Sequence, residues 1–425
     1  MAHEDKERFI PFTKAELVEL LLQHQLTPQQ QTQFKALGQI LQSIYHFQFH
    51  QQLESLKDNY FPFNPDQDTQ SKRSYSPQQL KQAEQNLVDE FQTILNAANY
   101  SPITEQQLKH AMQAESPFQL SLQVDLQDFS HYVLFSRGEG RKKMTRRKWL
   151  FKQEEIEVPI YQRIVLLLKY QGEGYFKQKK RKNLDFVPGH MMIKLFKEIP
   201  KADIDMLFPN VQIQMTLKDK LLIGGMGLFG GVGVLLKTGA GLVAMFSVAW
   251  FIMTSWATQS ALPTLSASQI TAMAGGVVAI GVILAFLWKQ WTNYAYRRIR
   301  FMKQLADNLY FKNLDNNIGV FHHLIDSAEE EECKEALLAY HFLLRSDQGL
   351  TAKTLDNSIE KWFAQTHDIE LDFEVDDALR KLTALELCRE SGKNPDGETI
   401  YQALNLEAAC TRLDYIWDNY FQYNS

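Results

Sequence analysis

The sequence predicts a membrane protein of the α+β class. Residues 221–288 contain a single charged side chain, Lys237. Two stretches within this segment, 239–256 and 270–288, each approach the roughly 20 residues that a helix needs to cross about 30 Å of hydrocarbon. The spacing of apolar residues changes from about 3.6 to 2 near Phe118, which indicates helices before that point and strands after it. We therefore expect an N-terminal helical region, a small antiparallel sheet domain, a two-helix transmembrane hairpin and a C-terminal winged-helix-like domain.

The chain divides into four predicted regions. In order, they are an N-terminal helical region at 1–115 with a flexible linker at 61–76, a small β-rich domain with two basic loops at 116–216, a membrane region at 217–304, and a winged-helix-like cytosolic domain at 305–425. At 425 residues the chain is long enough for several domains. Its net charge of −5 excludes a globally basic nucleic-acid binder.

Capping signals mark the N-terminal helices. Thr13 and Glu16 have capping-box spacing, and Thr27 and Ser76 each precede a proline. Apolar residues at helical spacing follow all three positions. We expect a helix to begin at each of them.

Alternating apolar residues predict the strands of the sheet domain. Leu120, Leu122, Val124 and Leu126 alternate with polar residues, which is typical of a half-buried strand. Gly138-Glu139-Gly140 is interpreted as a turn. The further strand candidates are 131–135, 148–151, 160–170, 191–196 and 211–215.

Three helices and a β-hairpin are predicted after the membrane region. Apolar residues have helical spacing over 333–344, 355–363 and 375–385, and Pro395-Asp396-Gly397 is typical of a hairpin turn. Three helices followed by a hairpin resemble a winged-helix domain. The third helix carries more acidic than basic residues, whereas contacts to DNA phosphates need the opposite balance. We therefore expect this domain to bind unidentified protein partners rather than nucleic acid.

Charge predicts the orientation in the membrane. Lys218 and Lys220 precede the apolar segment, basic residues follow Trp288, and the connection at 257–269 is uncharged. By the positive-inside rule both termini are cytoplasmic. The first eight residues are hydrophilic and include acids, unlike a signal or transit peptide. These features predict a multi-pass protein of the bacterial inner (cytoplasmic) membrane.

The stretch 221–236 needs a separate explanation. A straight helix over 221–256 would be about 54 Å long, which exceeds one crossing. We expect 221–236 to enter the membrane as an interfacial or re-entrant segment. In a three-span alternative, Lys237-Thr238-Gly239 forms a turn and the two halves of the chain lie on opposite sides.

Two basic runs in the sheet domain are candidates for contact with the membrane surface. Anionic headgroups attract such runs with about 1 kcal/mol per basic residue. Solvated loops are the alternative, and RNA binding has only Trp149 and Phe151 as a stacking platform. The candidate residues are Arg141, Lys142, Lys143, Arg146, Arg147 and Lys148, then Lys177, Lys179, Lys180, Arg181 and Lys182.

The glycine-rich segment before the first predicted span offers weaker signals. Gly227 and Gly231 form a GxxxG step that permits close helix packing within the hairpin or in a homo-oligomer. Lys237 is interpreted as a snorkelling side chain, with a role in an ion path as the alternative. A phosphate loop is excluded because Leu236 stands where that motif needs glycine.

No residue pattern predicts an enzyme, a cofactor or a metal site. The spacing allows His322, Asp326 and either Glu329 or Glu330 to share a helical face, which fits metal ligation in principle. A solvated acidic face is the preferred interpretation, because the run Glu329–Glu332 continues around the helix. The three cysteines form no CxxC pair and are interpreted as reduced structural thiols.

Several segments resemble a known family. They are Phe9-Ile10-Pro11-Phe12, residues 195–203 and, above all, residues 310–317 leading to 328–340. These residues resemble an uncharacterised family that includes mitochondrial transmembrane protein 143 and bacterial relatives. The resemblance implies a two-span integral membrane protein with no established activity and no assigned catalytic residues.

Together these features predict a non-enzymatic, cytosol-facing scaffold or regulatory protein at the inner membrane. An oligomeric channel or transporter-like protein is the alternative, suggested by Lys237 and the glycine-rich segment. An unrecognised membrane-associated enzyme is the third hypothesis.

Overall fold

Two compact units make up the chain. The computed structural model describes residues 8–23, 26–67, 72, 74–113, 121–147, 153–181, 184, 186–214, 243, 245–250, 252–254 and 266–421. The main unit consists of Met1–Gln113, Leu126–Ile204 and Lys312–Ser425, and the second unit of Ala114–Asp125 and Asp205–Phe311. The main unit therefore joins three stretches that are far apart in the sequence.

Capped helices form the N-terminal part of the main unit. They are α1 (Lys14–Gln23), α2 (Pro28–Tyr60), α3 (Pro77–Ala97) and α4 (Glu105–Gln113), with a 3-10 turn at Phe61–Phe63. The predicted caps at Thr27 and Ser76 are confirmed, since each side chain accepts a hydrogen bond from the third backbone N–H of its helix. The start of the stretch predicted as a flexible linker is packed, because Phe63 and Asn64 are buried.

A five-stranded antiparallel sheet follows in the main unit. Its strands, in the spatial order β1-β3-β4-β5-β7, are β1 (Ser101–Pro102), β3 (Phe129–Arg147), β4 (Gln153–Tyr170), β5 (Met191–Pro200) and β7 (Asn313–Asn316). Helix α5 (Glu173–Gln178) lies between β4 and β5 in the sequence. The strands predicted at 131–135, 160–170 and 191–196 are confirmed, and 148–151 lies outside the described residues.

The turn predicted at 138–140 is wrong. These residues lie inside β3, which continues to Arg147 opposite β4. Gly138 has φ 71°, and a Cβ at this position would lie 2.8 Å from the side chain of Gln162. Residue 138 is glycine because its φ is positive and because the side chain of Gln162 leaves no room for a Cβ. No chain reversal occurs here.

Helices and a second sheet complete the main unit. The elements are α8 (Ile318–Leu344), β8 (Leu350–Thr351), α9 (Ala352–His367), α10 (Val375–Ala384), β9 (Cys388–Lys393), β10 (Thr399–Ala403) and α11 (Leu406–Asp418), with strand order β8-β10-β9. The three predicted helices and the predicted hairpin are confirmed. The winged-helix-like classification stays a prediction.

One hydrophobic core connects these parts of the main unit. Phe34 of α2, Phe91 of α3, Leu195 of β5 and Leu337 of α8 all belong to it, as does Leu413 of α11. Helix α8 packs against α1, α2, α3, α9 and α10. It is therefore the central helix of the unit.

The second unit contains a short antiparallel pair and two apolar helices. Strands β2 (Ser121–Gln123) and β6 (Gln212–Gln214) pair with each other. The helices are α6 (Met245–Thr254) and α7 (Ala267–Lys312), of which the last residue, Lys312, belongs to the main unit.

The prediction of a membrane fold with a two-helix transmembrane hairpin is wrong. Among the described residues, one helical stretch is long and apolar enough to cross a membrane, Ala274–Asn293 within α7. The part of the first predicted span that the structure describes is α6, whose length of about 15 Å is half of a bilayer core. The stretch 221–236 lies outside the described residues.

Candidate functional site

Helix α8 carries a run of charged residues that the fold buries. The buried members are Glu329, Glu331, Glu332, Lys334 and Glu335. The expectation of a solvated acidic face is therefore wrong for this run. Burying charges is costly unless each meets a partner of opposite charge or a hydrogen-bonding group. The partners come from distant parts of the chain.

Lys334 and Glu331 hold the N-terminal segment, residues 8–12, on α8. Lys334 Nζ lies 2.5 Å from Glu331 Oε1. The same ammonium group donates to the backbone carbonyls of Ile10 at 2.9 Å and Phe12 at 3.1 Å. Glu331 Oε2 accepts from the N–H of Ile10 at 3.2 Å. One buried ion pair thus satisfies backbone groups of a segment that forms no helix or strand.

Lys381 of α10 forms the second half of the cluster. Its Nζ atom lies 2.5 Å from Glu332 Oε2, 2.8 Å from Glu335 Oε2 and 2.5 Å from Asp377 Oδ2. Asn99 joins the two halves, since its Nδ2 atom donates to Glu335 at 3.0 Å and to Glu331 at 3.4 Å. The α8 ionic cluster is the name used below for these connected side chains: Asn99, Glu331, Glu332, Lys334, Glu335, Asp377 and Lys381.

The α8 ionic cluster contains more carboxylates than cations. Burial raises the pKa of Glu332 to about 7, because Lys381 offsets only part of the desolvation of this carboxyl group. Burial also raises the pKa of Glu331, although Lys334 lowers it. Burial alone would lower the pKa of Lys381, but Glu335, Glu332 and Asp377 together raise it. Glu335 and Asp377 add to the rise in the pKa of Glu332, since the three carboxylates share one ammonium group. The cluster can therefore bind and release a proton near neutral pH.

A polar cavity of about 340 Å³ lies beside the cluster. Asn99 belongs to the cluster and also lines the cavity. Arg8 and Asp372 line it and form an ion pair at 3.6 Å. Arg137 also lines it, with its guanidinium 4.5 Å from the ring centroid of Phe9 and 4.9 Å from that of Tyr100.

The first predicted basic run is not a loop. Arg141, Lys142, Lys143, Arg146 and Arg147 belong to β3, and Lys148 lies outside the described residues. The run pairs in register with β4, where Lys143 is opposite Glu157. Lys142 forms an ion pair with Glu198. Acidic residues of the same sheet therefore match more of the positive charge of this run than the sequence indicated.

Two residues of the second predicted basic run form ion pairs with a buried carboxylate. Asp128 is fully buried and lies 3.1 Å from Lys179 Nζ and 2.7 Å from Arg181 Nη1. Lys177 pairs with Glu173 one helical turn away. Lys180 is exposed, whereas Lys182, like Lys237, Gly227 and Gly231, lies outside the described residues.

The histidine-containing stretch of α8 is not brought together as a metal site. Among the described residues, no group of three or more His, Cys, Asp or Glu side chains could hold a metal ion. His323 Nδ1 lies 3.6 Å from Asp315, while Glu329 binds His46 of α2 at 2.8 Å. The three cysteines are free, and burial raises the pKa of the Cys333 thiol to about 12.

Sequence reasoning missed Asn99, Lys334, Lys381 and Arg137. A signal was available for two of them, because Glu331 and Lys334 are spaced i, i+3 and Asp377 and Lys381 i, i+4. An acidic run embedded in an otherwise apolar helix was a further sign that its charges meet buried partners. Asn99 and Arg137 had no comparable local signal.

The comparison with known families identifies a domain of unknown function. It covers residues 161–319, from the middle of β4 to the first turn of α8, and matches the family described as Protein of unknown function (DUF3754). The α8 ionic cluster lies beyond this match. No solved structure matches the chain.

Proposed function

We propose that this chain is a membrane-associated scaffold or regulatory protein whose helix α7 inserts into the bilayer. The observation that carries the proposal is the exposure of large apolar side chains along α7. Val277 and Val278 are each 65 % exposed, Leu284 60 % and Trp288 73 %. A helix that leaves such side chains uncovered is expected to meet lipid or another protein.

The sequence of residue types along α7 favours lipid. The apolar stretch Ala274–Asn293 has 20 residues, enough for about 30 Å of hydrocarbon. Trp288 and Trp291 lie in the last turns of this stretch and Tyr296 follows it, and such aromatic side chains are enriched at membrane interfaces. Arg297, Arg298, Arg300 and Lys303 come next in the sequence. This order of apolar, aromatic and basic residues is typical of a helix end at an anionic cytoplasmic surface.

We further propose the bacterial inner membrane as the location, with the basic end of α7 on the cytoplasmic side. The resemblance of residues 310–317 and 328–340 to the family that includes transmembrane protein 143 supports a membrane role. Lys180 and other exposed basic residues of the main unit are available for anionic headgroups. The channel alternative depends on Lys237, which lies outside the described residues, and it gains no support from them.

The protein-binding part of the proposal rests on the C-terminal end of the main unit. Tyr415 is 58 % exposed and Phe421 63 % exposed, and Trp417 lies between them in the sequence. Aromatic residues are enriched where proteins bind each other. We propose that a partner protein covers this aromatic group.

Flotation of the purified full chain with anionic lipid vesicles tests the membrane proposal. Val278→Asp with Leu284→Asp puts two charges on the exposed face of α7, each of which costs several kcal/mol in hydrocarbon. We expect the wild-type chain to float with vesicles and the double variant to stay in the dense fraction. Gln85→Asp, on the exposed side of α3, is the control and is expected to float. Flotation of the double variant at the wild-type level would contradict the proposal.

A further inference from the structure

Three basic residues form one row across the main sheet. Arg137 of β3 is directly opposite Arg163 of β4, and Arg163 is directly opposite Lys197 of β5. Directly opposite residues in antiparallel strands lie on the same face with Cβ atoms about 5 Å apart. Three cations therefore stand side by side, an arrangement that destabilises a sheet unless something compensates it.

The row lies at the border of the hydrophobic core. The preceding row on the same face consists of Phe135, Val165 and Leu195, all of which belong to the core. The side chains of the basic row are half-buried. Their charges are thus less screened by water than those of ordinary surface residues.

Nearby carboxylates already have other partners. Glu139 pairs with Lys201, Asp372 with Arg8 and Glu331 with Lys334. In the part of the chain that the structure describes, none of the three residues of the row has a carboxylate within ion-pair distance. Arg137 Nη1 donates to the carbonyl of Ala98 at 3.2 Å, and Arg163 Nη1 to that of Gln162 at 3.0 Å. These bonds use a small part of the donors that two guanidinium groups offer.

The cavity described above opens at the Arg137 end of the row. Two carboxylates line it as well, but Asp372 is paired with Arg8 and Glu139 with Lys201. The remaining polar side chains of the lining can donate hydrogen bonds to an anion: Ser101, Gln107, Ser136 and Tyr161. Its volume of about 340 Å³ falls within the range of small-molecule sites.

We propose that the row Arg137, Arg163 and Lys197, together with this cavity, binds a phosphate group. Guanidinium groups match the geometry of phosphate oxygens through paired hydrogen bonds, and lysine adds a point charge. A phosphate dianion between the three cations removes their mutual repulsion. The same chemistry is offered by a soluble phosphorylated molecule and by the phosphate of a lipid headgroup.

Titration calorimetry of the purified full chain with inorganic phosphate, at constant ionic strength, tests the first source. The second source is tested with vesicles of phosphatidylcholine, with and without phosphatidic acid. We expect saturable binding of at least one probe. Arg163→Gln and Lys197→Gln are each expected to weaken it about tenfold or more, because each removes charge-assisted hydrogen bonds. Lys353→Gln, which removes an exposed charge on α9, is the control and is expected to leave binding unchanged.

Thermal unfolding separates a binding role from a structural one. Since Arg163→Gln removes a repelling charge, the variant without phosphate is expected to unfold at or above the wild-type temperature, and phosphate is expected to stabilise only the wild-type chain. Binding of inorganic phosphate identifies a soluble ligand, and binding that needs phosphatidic acid and is weakened in Arg163→Gln identifies a lipid. Failure of both probes, or equal affinity in Arg163→Gln, would overturn the proposal. Phosphate binding by the Val278→Asp, Leu284→Asp variant is expected to be normal, which keeps this test separate from that of membrane insertion.

Discussion

Replacing Lys381 by methionine tests the α8 ionic cluster most sharply. Methionine keeps most of the length of lysine but lacks the ammonium group. In the wild-type protein that group lies 2.5 to 2.8 Å from carboxylate oxygens of Glu332, Glu335 and Asp377. The variant therefore leaves three acids close together, two of them buried, without the cation that they share.

The expected loss of unfolding free energy is about 3–5 kcal/mol, the usual cost of removing one partner from a buried ion pair. The loss depends on pH. Burial already raises the pKa of Glu332 to about 7 in the folded state, and removing the lysine raises it further. A carboxyl group whose pKa is raised by folding stabilises the protein fully at low pH and loses this contribution as pH rises. The defect of Lys381→Met is therefore expected to be larger at pH 8 than at pH 5.

Urea unfolding of the purified full chain, followed by circular dichroism at both pH values, measures this defect. Lys353→Met removes an exposed lysine of α9 and is expected to change the unfolding free energy by less than about 0.5 kcal/mol. Equal stability of Lys381→Met and wild type at pH 8, or a larger defect at pH 5, would refute the description of the cluster.

Three further predictions concern the same unit. The stability of the wild-type chain is expected to fall by up to about 3 kcal/mol as pH rises from about 4.5 to about 7, at 1.36 kcal/mol per unit of pKa shift of Glu332. Glu332→Gln is expected to remove this fall, which urea unfolding across that pH range measures. Gly349→Ala is expected to lower the unfolding free energy by about 1–3 kcal/mol, because Gly349 has φ 75° and the added Cβ would lie 2.6 Å from the backbone carbonyl oxygen of Tyr401. Asp128→Asn is expected to speed tryptic cleavage at 177–182, because it removes the negative charge that holds Lys179 and Arg181.

Each of these predictions has a clear contrary outcome. An unchanged pH slope in Glu332→Gln would assign the titration to another group. Gly174→Ala places a Cβ in open space, so a loss equal to that of Gly349→Ala would argue against strain and crowding at Gly349. Wild-type cleavage rates in Asp128→Asn would show that the ion pairs do not order the loop.

Local signals predicted the helices well. The sequence signals for the caps at Thr27 and Ser76 lie in residues close to each cap, and the structure shows both capping boxes. The β-hairpin around Pro395-Asp396-Gly397 was likewise predicted from neighbouring residues, and the structure shows it. In each case the stabilising contact joins residues that are close in the sequence, so the sequence pattern contains the physical cause.

Long-range contacts explain what could not be predicted. Strand β7 exists because Asn313–Asn316 pairs with β5, more than a hundred residues earlier in the sequence. The acidic run of α8 is buried because Lys381 and the N-terminal segment reach it from distant positions. The transmembrane-hairpin prediction failed because apolar composition alone does not tell where a helix begins and ends: within the first predicted span, helix α6 covers only Met245–Thr254, which is too short to cross a bilayer.

The depth of α7 in a bilayer tests the central claim most directly. A nitroxide spin label on Val278→Cys and another on Lys303→Cys can be compared in vesicles that contain the full chain, with the half-buried Cys410 replaced by serine. The account predicts that the label at 278 is accessible to oxygen but not to a water-soluble nickel complex, whereas the label at 303 meets the nickel complex. Ready access of the nickel complex to position 278 would contradict insertion of α7.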